Sequence, residues 1–240
     1  MLSQAGRLPE KVWQNSDKLV VLSSISRGEE YGKRSLTAAT TQPHTTPIMV
    51  GEDVSRYSIR YPSHCLESGA IAKKPDNYSS PKVVVVKTGS RVVAALDGEG
   101  LCTLQSVYNV RPRAGCPVDI RYILGIVNSS LISAYIRREV TAYKKIFPQL
   151  NQRHIAELPI RRVALGQERV RALHDRLVGL VERMLELHER LAAKGEARDE
   201  ERAQIEREIE QADRGIDDLV YDLYGLTQEE RATVENESRR

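Results

Sequence analysis

The residues VVVV from Val83 to Val86, followed by KTGSRVVAALD from Lys87 to Asp97, decide how this chain folds. Four consecutive β-branched apolar residues leave no polar face, so they belong at the centre of a sheet covered on both sides. Thr88-Gly89-Ser90 reads as a turn, and Val92-Val93-Ala94-Ala95-Leu96 returns the chain toward Asp97, which predicts a hairpin. Lys87 and Arg91 then stand at its tip, held out by a rigid strand pair where they can meet something negatively charged.

Charge is unevenly spread around this strand pair. Residues 1–160 hold 21 Lys and Arg against 13 Asp and Glu, a net of +8; residues 161–240 hold 15 against 20, a net of −5, and together they give the chain's +3. The split favours a body that binds a polyanion and carries a solvated acidic appendage, with ordinary fluctuation of surface charge as the alternative. With 240 residues, 40% of them hydrophobic, there is enough material for one large domain or a domain with an appendage. Cys65, Cys102 and Cys116 are odd in number and form no C-x-x-C pair, so they read as reduced thiols and not as a disulfide framework or zinc ribbon. The opening MLSQAGRLPEKVWQ lacks the apolar core of a signal peptide, and no apolar run approaches the ~18 residues of a membrane helix. A cytoplasmic protein with no membrane partner is expected.

Upstream of the hairpin, Leu19 to Leu22 reads as a strand or a short helix end. SSISRGEEYGKRSL (23–36) sets Arg27, Lys33 and Arg34 on a glycine-punctuated loop, where they serve either an anion or plain solvation. TAATTQPHTTP (37–47) has no periodicity and reads as loop. In VGEDVSRYSIRY (50–61) a turn at Gly51-Glu52-Asp53 leads into a strand on which Arg56 and Arg60 interleave with Tyr57 and Tyr61. That pattern suits contacts to phosphates and bases, or packing at a domain edge. Residues 62–80 read as a long loop.

Downstream, LCTLQSVYNV (101–110) alternates as a further strand of the same sheet, and Arg111 to Gly115 makes a turn. Ile120, Ile123, Leu124, Val127, Leu131, Ile132, Tyr135 and Ile136 recur at three- and four-residue steps, predicting an amphipathic helix over 119–138 with a polar interruption at Asn128-Ser129-Ser130. Arg137, Arg138, Lys144, Lys145 and Arg153 then form the densest basic stretch of the body. Further on, Val170, Leu173, Leu177, Leu180, Met184, Leu187 and Leu191 keep a heptad seam, as do Ile205, Ile209, Ala212, Ile216, Leu219 and Leu223 after a break at Lys194-Gly195-Glu196. Two helices of roughly 25–28 residues, each about 40 Å long, are expected to fold back as an antiparallel hairpin that serves as a spacer or docking arm. Gly225 and the Thr227-to-Glu230 capping pattern start one more helix, whose tail after Val234 is expected to fray.

No constellation for catalysis assembles. There is no G-x-x-x-x-G-K-[ST] loop, no G-x-G-x-x-G, no H-E-x-x-H and no [NDS]-P-P-[YFW] of the amino-methyltransferases. His44, His64, His154, His174 and His188 are scattered, and His174 and His188 stand about 21 Å apart along a helix. No cofactor, metal or catalytic residue is expected.

RGEEYGK (27–33), VGEDVSRY (50–57), PKVVVVKTGSRVVAALD (81–97), ILGIVNSSLISAYI (123–136), FPQLNQRHIAELPI (147–160) and IDDLVYDLYGLTQEE (216–230) follow one another along the chain. In this order they resemble the TaqI-like C-terminal specificity domain, the target-recognition part of bacterial type II restriction-modification adenine methyltransferases and of their relatives in phage defence. The resemblance implies an α+β architecture: a mixed β-sheet target-recognition domain over 23–162, after a lead-in over 1–22, then the helical hairpin over 163–226 and a tail over 227–240. It further implies binding of double-stranded DNA on behalf of an adenine methyltransferase, with or without a nuclease. This chain lacks the family's catalytic portion, as would a free specificity subunit, a split gene product or the remnant of a longer protein. The residues themselves nominate the contacts: Arg27, Lys33, Lys87, Arg91, Lys144 and Lys145 for phosphates, and Arg56, Tyr57, Tyr108 and Arg113 for base edges. The alternative is a non-catalytic assembly factor that acts through its heptad hairpin.

Overall fold

A computed structural model describes residues 8–38, 45–89, 91–139, 149–164, 166–195 and 199–238. Among these, the helices are α1 (Leu8–Trp13), α2 (Leu19–Leu22), α3 (Ile120–Asn128), α4 (Ser130–Glu139), α5 (Gln152–Ala156), α6 (Glu168–Ala193), α7 (Glu200–Tyr224) and α8 (Gln228–Ser238). The first strands are β1 (Ser16–Lys18), β2 (Ser23–Arg27), β3 (Thr37–Ala38), β4 (Thr45–Met49), β5 (Val54–Ser55) and β6 (Ser58–Ile59). They continue as β7 (His64–Glu67), β8 (Lys82–Val86), β9 (Ala94–Asp97), β10 (Cys102–Thr103), β11 (Val107–Pro112) and β12 (Pro159–Arg161). The mixed α/β composition is the expected one. The chain forms two compact units, a sheet unit of Leu19–Cys116 and Ala142–Glu157 and a helical unit of Met1–Lys18, Pro117–Thr141 and Leu158–Arg240. These bounds differ from the expected 23–162 and 163–226 spans, since α3 and α4 fall in the helical unit.

In the sheet unit, β8 is buried at every residue and lies inside the order β2-β11-β8-β9, antiparallel to both neighbours. The hairpin forms as the valine run predicts: Val83 faces Leu96, Val85 faces Ala94, and the Val86 amide donates to the Val93 carbonyl at 2.9 Å. A second sheet has the order β10-β4-β7-β3, with β10 parallel to β4. Met49, Val54, Val84, Val86, Ala95 and Val107 form one core cluster, and Ile48, Val50, Leu66 and Leu104 another.

Several local expectations change. The 101–110 stretch is not one strand: Cys102–Thr103 joins β4 in the second sheet, the Val107 amide closes a turn on the Leu104 carbonyl at 2.9 Å, and only Val107–Pro112 enters the central sheet. Residues expected to be loop supply β3, most of β4 and β7, because backbone pairing there needs no alternating side-chain pattern. The helix over 119–138 is broken where its polar interruption lies. Ser129 is extended, and its hydroxyl donates to the Ile126 carbonyl at 2.7 Å while accepting from the Ile132 amide at 3.3 Å, so one side chain ends α3 and starts α4.

A buried polar network underlies the hairpin. The Lys82 ammonium contacts the Asp97 carboxylate and the carbonyls of Tyr78 and Leu101, each carbonyl at 3.0 Å, and both charged side chains are essentially unexposed. Asp97 also accepts the amides of Glu99, Gly100 and Leu101. Nearby, buried Glu29 accepts the Tyr78 hydroxyl at 2.7 Å and the amides of Ala72 and Lys73.

In the helical unit, α6 and α7 fold back on each other, with Arg183 meeting Glu208 at 2.6 Å and Gly215 against Leu180. Of the α6 heptad seam Leu177, Met184 and Leu187 are buried, and His174 and Val181 are buried alongside them because α3 packs there too. Gly125 makes that approach possible: a Cβ on it would lie 2.9 Å from Val181 and 3.1 Å from Leu177. Gly225 ends α7 at φ +67, and Thr227 and Glu230 form the expected capping box. The tail does not fray at Val234; α8 runs to Ser238, where Arg138 of α4 donates to Glu237 at 2.9 Å.

Candidate nucleic-acid interface

Strand register brings several loops to one end of the central sheet. Arg27, the last residue of β2, faces Tyr108, and Val86, the last of β8, faces Val107. The segment after Arg27, the β8–β9 loop, the turn at Leu104–Ser106 and the turn at Gly51–Asp53 therefore converge. Backbone hydrogen bonds tie them together: Gly28 to the Val107 carbonyl at 3.2 Å, Glu29 to that of Thr103 at 2.7 Å, Gln105 to that of Glu29 at 2.8 Å and Lys87 to that of Ser106 at 2.9 Å. The Gly51 amide donates to the Ser106 hydroxyl at 3.0 Å. Glycine is required at position 28, where a Cβ would lie 2.3 Å from the Thr103 carbonyl oxygen.

Five of the nominated cations sit at this end. Arg27 donates to the Gln105 carbonyl at 3.2 Å and to its side-chain oxygen at 3.0 Å. Lys33 binds the exposed Glu52 carboxylate, and that hydrogen bond holds Glu52 below the usual carboxylate range. Arg56 lies over the Tyr57 ring, 5.3 Å from its centroid, beside the start of β9, where the Tyr57 amide donates to Ala94 at 2.9 Å. Lys87 and Arg91 are half-buried within the β8–β9 loop. Fifteen Lys and Arg against nine Asp and Glu give the sheet unit a net +6, so its loops lie in a positive field.

The remaining nominees fare differently. Arg113 is exposed near the opposite end of β11, roughly 20 Å away at 3.4 Å per residue, and donates to the Val20 carbonyl at 3.2 Å. Tyr57 and Tyr108 must be corrected as base-edge contacts: each is 3% exposed, with its ring in the core. Burial pushes the Tyr108 phenol up, and its hydroxyl donates to the Leu150 carbonyl at 3.3 Å. Lys144 and Lys145 lie outside the described residues. Gln149 and Leu150 are anchored at the cluster, since the Leu150 amide donates to the Lys87 carbonyl at 2.8 Å and Gln149 bridges to Thr88.

Sequence reasoning overlooked Gln105 and Ser106, whose importance comes from the split of the 101–110 stretch between two sheets, and it left the Lys82–Asp97 pair unread. Among the described residues no group of three His, Cys, Asp or Glu is placed to hold a metal ion, and no helix is long and apolar enough to cross a membrane.

Residues 46–160 match the family described as the TaqI-like C-terminal specificity domain. A type II methyltransferase of Thermus thermophilus is 27% identical over 141 residues, which is 56% of this chain and 32% of that protein. The chain thus spans about a third of this relative's length. Among solved structures, the type IIG restriction endonuclease BpuSI superposes with a TM-score of 0.52 at 12% identity, covering 93% of this chain and 34% of that one. The type IIL restriction-modification enzyme MmeI, solved in complex with DNA, gives a TM-score of 0.50 at 10% identity, covering 90% of this chain and 36% of that one. At these identities the likeness is one of fold.

Proposed function

We propose that this chain, whose residues 46–160 match the TaqI-like C-terminal specificity domain, recognises a sequence in double-stranded DNA and directs a partner adenine methyltransferase to it. The observation that carries the reading is the convergence of Arg27, Lys33, Arg56, Lys87 and Arg91 at one end of the central sheet, in a unit of net positive charge. In this reading the chain performs no catalysis. Arg27, Lys33, Lys87, Arg91, Lys144 and Lys145 position the phosphate backbone, Arg56 reaches a base edge, Arg113 stands too far from the cluster to share that interface, and the α6–α7 hairpin docks the catalytic partner, with a nuclease where the system has one. Phosphate contacts of this kind carry register and affinity, while base contacts carry sequence.

Titration of labelled duplex DNA at increasing salt tests the proposal, with the protein alone and with an adenine methyltransferase encoded beside it. Six phosphate contacts predict a slope of about −5 in the log–log plot of affinity against salt. Absence of binding at low salt in both arms would overturn it.

A further inference from the structure

Arg60 and Tyr61 follow β6 and bring to the loop cluster something that Arg27 and Lys33 do not supply. The Arg60 amide donates to the Asp53 carbonyl at 2.8 Å, and its guanidinium meets the Asp53 carboxylate at 3.2 Å. That carboxylate is completely buried and accepts the Val50 amide at 3.0 Å, whereas the Arg60 side chain is 69% exposed. Asp53 closes the turn whose Gly51 amide holds Ser106, and Ser106 accepts from Lys87, so Arg60 belongs to the same loop assembly. Tyr61, next in the chain, is 62% exposed.

Lys33 and Arg27 are secured differently. Lys33 pairs with a carboxylate that is itself exposed, and Arg27 is turned onto Gln105. A phosphate contact needs only a positive charge on a mobile stem. Reading a base edge needs the planar fork of arginine at a fixed angle, and a buried carboxylate behind one edge of the guanidinium supplies that angle while the remaining N–H groups face outward.

We infer that Arg60, buttressed by Asp53, is a base-reading residue that takes the O6 and N7 of a guanine in the major groove, with Tyr61 packed beside it. The inference rests on the proposal that the sheet unit recognises DNA. The test uses a pool of duplexes with a randomised central segment, from which the full chain and its Arg60→Lys variant each select bound molecules for sequencing. Lysine keeps the charge and the pairing with Asp53, and a thermal melt matching the parent confirms that the variant is folded. The parent is expected to enrich a motif containing a guanine, and Arg60→Lys to relax that one position by roughly 5- to 150-fold while keeping the others. An identical motif for both proteins overturns the inference and leaves DNA recognition standing. A parent that binds the pool but enriches no motif, or does not bind it, overturns the inference together with the reading it rests on.

Discussion

Replacing Lys82 by methionine should cost the sheet unit about 3–5 kcal/mol, because it leaves the Asp97 carboxylate buried without its counter-charge. The magnitude follows from the geometry: the two side chains are 0% and 1% exposed, so water cannot enter to solvate the charge that remains. Three backbone amides still reach Asp97, from Glu99, Gly100 and Leu101, which places Lys82→Met toward the lower end of that range. Asp97→Asn leaves an ammonium, which burial already holds below the usual lysine range, without a counter-charge and with neutral acceptors alone. The double variant removes both charges, so it should be more stable than the sum of the single losses predicts, by about 1–3 kcal/mol of coupling. Scanning calorimetry of the four proteins measures this, since each kcal/mol moves a melting temperature by about 4 °C in a unit of this size. A Lys82→Met melting temperature within about 2 °C of the parent, well inside the shift expected from one kcal/mol, would refute the reasoning. So would strictly additive losses in the double variant.

Gly28→Ala should destabilise the sheet unit by about 2 kcal/mol or more, because its Cβ meets backbone and not a movable side chain; an unchanged unfolding midpoint in urea would contradict this. In the helical unit, the hydrogen bond from Arg121 holds the Asp119 carboxyl below its ordinary range. A folded-state value lower than the unfolded one gives stability that is full above about pH 4 and lost as pH falls through the folded value. Melts from pH 6 to pH 2 should therefore fall less steeply for Asp119→Asn than for the parent, and parallel curves would exclude this carboxyl as a source. Lys33→Gln should reduce the salt slope of DNA binding by about 0.9 if Lys33 reaches a phosphate. An unchanged slope would show that Lys33 serves only Glu52.

What could be read from the sequence was local. Val83 to Val86 disclose a buried strand because four β-branched residues in a row have no other good environment, and the return through Val92 to Leu96 follows from the turn between them. Asp97 and Lys82 are 15 positions apart and look like surface charges; only the pairing of β8 with β9 sets them opposite each other. The alternation from Leu101 to Val110 is genuine, but a period of two cannot reveal that a turn at Leu104–Ser106 hands one half to a different sheet. Tyr57 and Tyr108 are hard to place for a related reason, since a tyrosine has the same sequence signature whether its ring faces solvent or core. The heptads of α6 and α7 disclosed each other. Their second partner, α3, approaches through Gly125, where the contact depends on a side chain that is absent.

The segmentation of the sheet unit bears on how such a module can be exchanged. The chain leaves the helical unit after Lys18, returns after Cys116, leaves again after Thr141 and returns after Glu157. The second visit, residues 142–157, brings Leu150, which accepts from Tyr108 and donates to Lys87. A recombination event that transplanted residues 19–116 alone would set the loop of Lys87 against a foreign 149–150 segment, whose backbone would have to reach both the Tyr108 hydroxyl and the Lys87 carbonyl. Exchange of the sheet unit as a whole therefore requires both of its segments to travel together, or a donor whose second segment already matches the first.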